Sequence, residues 1–130
     1  FDSTSDQEFH QWCKETIAAV YDRVQAKLAI VYDEAVTFQL IGITRLGDNV
    51  AKNLEDAIGY AGTEIIRRVV GDSKVRELSL IPSDKKVTAE RILLKIGIQL
   101  IINRQHVISG SQLVAGIDEA VNSAFPSMQN

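Results

Sequence analysis

Phe9, Trp12, Cys13, Ile17, Val20, Val24 and Leu28 recur at three- and four-residue intervals. That is the period at which an α-helix returns to the same face, and no strand shows it. The pattern commits the first part of the chain to helix, and the rest follows suit. Ser5-Asp6-Gln7-Glu8 reads as a capping box, a serine with a glutamate three residues on. It predicts a helix from there to about Leu28 or a little beyond. Residues 29–47, AIVYDEAVTFQLIGITRLG, have the β-branched content of a strand, but the flanking helices favour a helix that breaks near Gly42–Gly47.

Asp48 and Asn49 suit the start of a second long helix, and Gly71 suits its end. A loop with a short helical turn is expected up to Ile81-Pro82. Ser83 or Asp84 would cap a third helix reaching about Arg104. Its second half, ILLKIGIQLII, is apolar on every side, which predicts the central helix of the fold. Ser109 or Ser111 would cap a last helix that stops before Pro126. The expectation is an all-α bundle of about four to five helices in one domain spanning 1–130.

Charge narrows the function classes. Residues 1–66 hold 5 basic and 11 acidic side chains, and residues 67–130 hold 9 basic and 6 acidic. A basic segment in an acidic chain suits a small anionic ligand. Nucleic acid is not expected, because Arg67–Arg104 carries no aromatic residue on which a base could stack. The longest apolar run, Ile92–Ile102, is too short for the roughly 20 residues a membrane span needs. No basic stretch followed by an apolar one opens the chain, so no secretory signal is expected.

Catalytic groupings are missing. One cysteine, Cys13, and two distant histidines, His10 and His106, make neither a disulfide, a metal set nor a Cys/His pair. Cys13 reads as a half-buried helix residue in a reducing compartment. No Gly-rich phosphate loop is present, and the D-x-E of Asp6-Gln7-Glu8 belongs to a helix terminus. The chain alone is expected to bind no metal or cofactor and to catalyse nothing.

GYAGTEIIRRVVG, residues 59–71, is the segment that stands out. With Leu54 as origin and 100° per residue, Val50, Ile58, Ala61, Ile65 and Val69 fall within about 60° either side. Arg68 falls in that arc at about −40°, and Arg67 outside it at about −140°. Arg68 therefore leaves from a face that otherwise packs inward, and Glu64, four residues earlier, is its nearest acceptor. Gly59 and Gly62 sit side by side on the flank. Each costs the helix about 1 kcal/mol relative to alanine, and bare backbone there lets another backbone or a ligand come close.

DAIGYAGTEIIRRVVG resembles a segment near the C-terminus of S-methyl-5-thioribose kinases, D-x-[IL]-G-[FY]-A-G-x-x-[MI]-I-R-R-x-x-G. Asp56, Gly59, Tyr60, Ala61, Gly62, Ile66, Arg67, Arg68 and Gly71 fall on it. KVTAERILLKIGIQLIINR, with Ala89-Glu90-Arg91 and Arg104, is similar to that family's next helix. QWCKETIAAVYDRVQAKL is similar, more loosely, to the helix after its catalytic aspartates.

The resemblance implies a protein-kinase-like fold, of which this chain would be the helical C-terminal part. The family transfers the γ-phosphate of ATP, with Mg, to the 1-hydroxyl of methylthioribose in cytoplasmic methionine salvage. Its nucleotide lobe and catalytic aspartates precede the matched segment. Arg67 and Arg68 would then face the sugar substrate, Glu64 would orient Arg68, and Gly59 and Gly62 would let the helix approach the catalytic loop. Partners would be the remainder of the kinase chain and a small-molecule sugar. The competing reading is a self-contained helical interaction module, without catalytic activity, that forms a homodimer.

Overall fold

The computed structural model describes residues 3–36, 46–71 and 76–125. Among them it contains five α-helices, one 3-10 turn and no strand. Helix α1 spans Ser3–Val36, α2 Leu46–Val70, α3 Arg76–Ser79, α4 Ser83–Asn103 and α5 Gly110–Ser123, with the 3-10 turn at Arg104–His106. The chain forms two compact units, Phe1–Leu54 with Val107–Val114, and Glu55–His106 with Ala115–Asn130.

In the first unit, α1 is longer than its sequence signals suggest. It starts at Ser3, so Ser5 lies within the helix and cannot be its cap, which needs a non-helical backbone. It also runs through the ambiguous stretch as far as Val36. Ile30 and Val31 are tolerated because a β-branched residue costs a helix only a few tenths of a kcal/mol. Residues 37–45, with the expected break at Gly42, lie outside the described residues. Gly47, Asp48 and Asn49 fall inside α2, whose start at Leu46 supersedes Asp48 or Asn49 as caps.

The inner face of α1 grips the segment leading into α5. Tyr21 is buried and its hydroxyl donates to the Val107 carbonyl at 3.1 Å. The Gln25 amide donates to the Ile108 carbonyl, and the Gly110 amide donates to Asp22 Oδ1 at 2.7 Å. At Gly110 a Cβ would lie 2.1 Å from the Ala18 carbonyl oxygen, so only glycine lets the two backbones meet there. Burial and the neighbouring Asp22 charge raise the pKa of the Tyr21 phenol. Ser109 caps α5 as expected: its Oγ accepts from the Gln112 amide, while Gln112 Oε1 accepts from the Ile108 amide at 2.9 Å.

The second unit is organised by a glycine contact between α2 and α4. A Cβ on Gly62 would come within 2.6 Å of the Gly97 carbonyl oxygen, and one on Gly97 within 2.9 Å of the Gly62 carbonyl oxygen. Both glycines are buried, with Ile66 over Gly97 and Ile101 over Gly62. Ile58, Val69, Leu78, Leu100 and Ala120 are the buried apolar residues of this unit.

Helix α4 ends at Asn103 as anticipated, but differs from expectation at its start and in its surroundings. Its cap is Pro82, in extended conformation (φ −53°, ψ 143°), with no side-chain capping bond. The Pro82 carbonyl accepts the Lys85 and Lys86 amides, so Ser83 and Asp84 are already helical. Gly97 and Leu100 are buried, but Ile98 and Ile102 are exposed, so α4 is not enclosed on all sides. A helix that packs through two glycines keeps one narrow stripe in the contact and leaves the opposite apolar stripe outside. Lys95 bridges the unit, its Nζ donating to the Ser123 carbonyl at the end of α5.

Candidate functional site

The last two turns of α2 carry the charged cluster anticipated from the sequence, in a different arrangement. Arg67 Nε and Nη2 donate to Glu64 Oε2 and Oε1 at 2.9 and 2.7 Å, a two-pronged pair. Arg68 Nε donates to the same Oε1 at 2.9 Å. Glu64 thus serves both arginines, through its i+3 and its i+4 neighbour. The Arg67 partner was legible from its spacing, because residues three apart on a helix are neighbours.

Hydrogen bonds from the two guanidiniums, Arg67 first and then Arg68, hold the Glu64 carboxyl at about 2, well below its ordinary 4.5. Its own hydrogen bonds to Glu64 raise the Arg67 pKa. One carboxylate between two permanent cations leaves the cluster a net positive charge, suited to an oxyanion or to sugar hydroxyls.

Arg68 does not project into the core. Its side chain is 50% exposed and that of Arg67 57%. The reason is the glycine contact. In this unit the packed face of α2 runs through Ile58, Gly62 and Val69, while Ala61 is exposed. The buried arc is therefore turned towards Gly62, and Ala61 and Arg68 are left on its rim. From that rim Arg68 lines a cleft of about 350 Å³ with Ile65, Val69, Glu77, Leu78 and Leu93.

A second cleft, of about 290 Å³, lies along the adjacent face of α2 and is lined by Asp56, Gly59, Tyr60, Thr63, Ile101 and Arg104. Arg104 lies over the bare backbone of Gly59, where a Cβ would be 3.2 Å from its Cδ. Its Nε pairs with Glu55 at 3.4 Å and its Nη1 donates to the Ile101 carbonyl. Asp56, Tyr60 and Thr63 share a helix face by spacing, but the arrival of Arg104 from the end of α4 has no local signal. Within the chain, Gly59 is covered by Arg104 and Gly62 by Gly97. No group of three His, Cys, Asp or Glu side chains that could hold a metal exists among the described residues. No described helix is long and apolar enough to cross a membrane.

Fold and site together define an all-helical chain whose second helix carries a paired-arginine cluster. About half of it is similar to methylthioribose kinases. The match to the methylthioribose kinase of Bacillus velezensis is 38% identical over 63 residues, 48% of this chain and 16% of that protein. That of Erwinia tasmaniensis is 39% identical over 69 residues, 52% of this chain and 17% of that protein. For Geobacillus kaustophilus it is 41% over 58 residues, 44% and 14%. The matches therefore span roughly one sixth of those relatives. No protein-family profile and no solved structure matches the chain.

Proposed function

We propose that this chain is the helical C-terminal part of a cytoplasmic, ATP- and Mg-dependent S-methyl-5-thioribose kinase, supplying substrate-facing arginines and no catalytic aspartate. The observation that carries the reading is the recurrent match to methylthioribose kinases at 33–41% identity. The exposed Tyr60, Val70, Leu80, Val87, Ile98 and Ile102 support it as well. That much apolar surface in one unit suits a piece that packs against the remainder of a longer chain.

Phosphoryl transfer is largely positioning and charge stabilisation. Arg67 and Arg68 hold the sugar hydroxyls and counter the charge near the transferred group. Glu64 fixes both guanidiniums in advance, so less side-chain freedom is lost when substrate arrives.

The test is kinetics in the whole kinase containing this segment. Arg68→Ala should lower kcat/KM for the sugar at least about 100-fold, which is about 2.7 kcal/mol. Arg68→Lys should recover little, since the planar fork is lost. Near-normal kinetics for a folded Arg68→Ala enzyme would remove Arg68 from the substrate site.

A further inference from the structure

The cleft beside Arg68 is lined by two opposite charges that do not meet. Arg68 borders it from α2 and Glu77 from α3, and both side chains are exposed. The rest of the lining is aliphatic, with Val69 and Leu78 buried and Ile65 and Leu93 half-buried. Among the described residues the Arg68 side chain makes one polar contact, through Nε to Glu64, and the Glu77 carboxylate makes none. Arg68 therefore keeps its terminal nitrogens for a further acceptor, and Glu77 keeps both oxygens for a donor. At about 350 Å³ the cleft is at the small end of ligand sites, which begin near 300 Å³ and are mostly apolar with a few polar groups that fix orientation.

A simple carboxylate would satisfy Arg68 but face the Glu77 charge, and a simple amine would satisfy Glu77 but face Arg68. A phosphate would meet the same repulsion at Glu77 and gain nothing from four aliphatic side chains. A molecule that carries both charges on one carbon, with an apolar group beside them, complements every part of the lining. We propose that this cleft binds a free α-amino acid with an aliphatic side chain. Its carboxylate accepts from the terminal nitrogens of Arg68, and its ammonium donates to the Glu77 carboxylate. Its side chain rests among Ile65, Val69, Leu78 and Leu93. The inference does not rest on the kinase reading. Because that reading gives Arg68 to the sugar, the amino acid and the sugar would compete for it.

Calorimetric titration of the 130-residue chain with L-leucine, in the absence of nucleotide and sugar, tests the site. Saturable binding is expected with a Kd on the order of 1 mM, with methyl NMR shifts at the four aliphatic residues. L-leucinamide lacks the carboxylate, isocaproate lacks the ammonium and glycine lacks the side chain. Each should bind about tenfold more weakly. Glu77→Gln should weaken L-leucine about tenfold without weakening isocaproate, and Arg68→Gln should weaken L-leucine without weakening L-leucinamide. Both side chains are exposed, so both variants should keep the natural helix content. A folded natural chain that shows no binding at ten times the expected Kd would overturn the proposal. So would isocaproate binding as tightly as L-leucine, or either folded variant binding L-leucine as well as the natural chain does.

Discussion

The Gly62–Gly97 contact sets the packing of α2 on α4, and replacing Gly62 by alanine tests it directly. Two opposed effects must be weighed. Alanine in a helix interior gains about 1 kcal/mol over glycine. The added Cβ, however, would lie 2.6 Å from the Gly97 carbonyl oxygen, 2.9 Å from Ile101 Cγ1 and 3.1 Å from Leu100 Cβ. Ordinary contact begins at 3.4 Å, so the shortfall against the oxygen is about 0.8 Å. The obstructing atom is backbone, which no rotamer change can remove, so α4 itself must move. Overpacking of this kind costs about 1–3 kcal/mol, and a backbone obstruction puts Gly62 at the upper end. The net expectation for Gly62→Ala is a loss of about 2 kcal/mol.

Gly116 supplies the control within the same unit, because a Cβ there meets nothing within 4 Å. Gly116→Ala should gain up to about 1 kcal/mol from propensity alone. Urea unfolding of the two variants beside the natural chain reads both numbers, with unchanged slopes as the sign that only stability moved. In thermal melts each kcal/mol should appear as about 3–5 °C at this chain length. If Gly62→Ala is as stabilising as Gly116→Ala, the helices do not meet at Gly62 and the account of the second unit is wrong.

Two further expectations follow from single groups. The folded Glu64 pKa lies below the unfolded value, so its stabilising contribution is complete above about pH 4.5 and is lost as pH falls towards 2. Because the carboxylate is solvent-accessible the contribution is small and salt-sensitive. A carboxyl NMR titration should find Glu64 near 2 at low salt and higher in Arg67→Ala, whereas a midpoint at 4.5 in the natural chain would show that the fork is not formed. Ser109→Ala removes the Oγ that accepts the Gln112 amide and should cost about 1 kcal/mol in urea unfolding, with hydrogen exchange fastest in the first turn of α5. No loss would mean that Gln112 caps the helix alone.

Local chemistry accounts for most of what was legible in the sequence. The apolar period of residues 9–28, the arrest of α2 before Gly71, the turn ahead of Pro82 and the Ser109 cap all depend on residues within a turn or two of each other. Such interactions are written in the order of the chain. The Glu64–Arg68 pair was readable for the same reason, and the three-residue spacing from Glu64 to Arg67 carried the same kind of signal. The β-branched stretch 29–36 is helical, as its flanks favoured, because propensity differences of a few tenths of a kcal/mol are too weak to end a helix against the continuity of its neighbours.

Tertiary structure decided the rest. Which element fills the space beside a glycine depends on where a distant helix crosses, so Gly62 against Gly97 and Gly59 beneath Arg104 could not be read from α2 alone. That crossing in turn rotates the buried arc of α2 and leaves Arg68 on the rim of a cleft, where the periodicity by itself had turned it inward. Sequence determined the helices and the charges they carry, because those follow from short-range hydrogen bonding and spacing. The faces left to solvent were decided only by packing, because burial depends on what comes back from far along the chain.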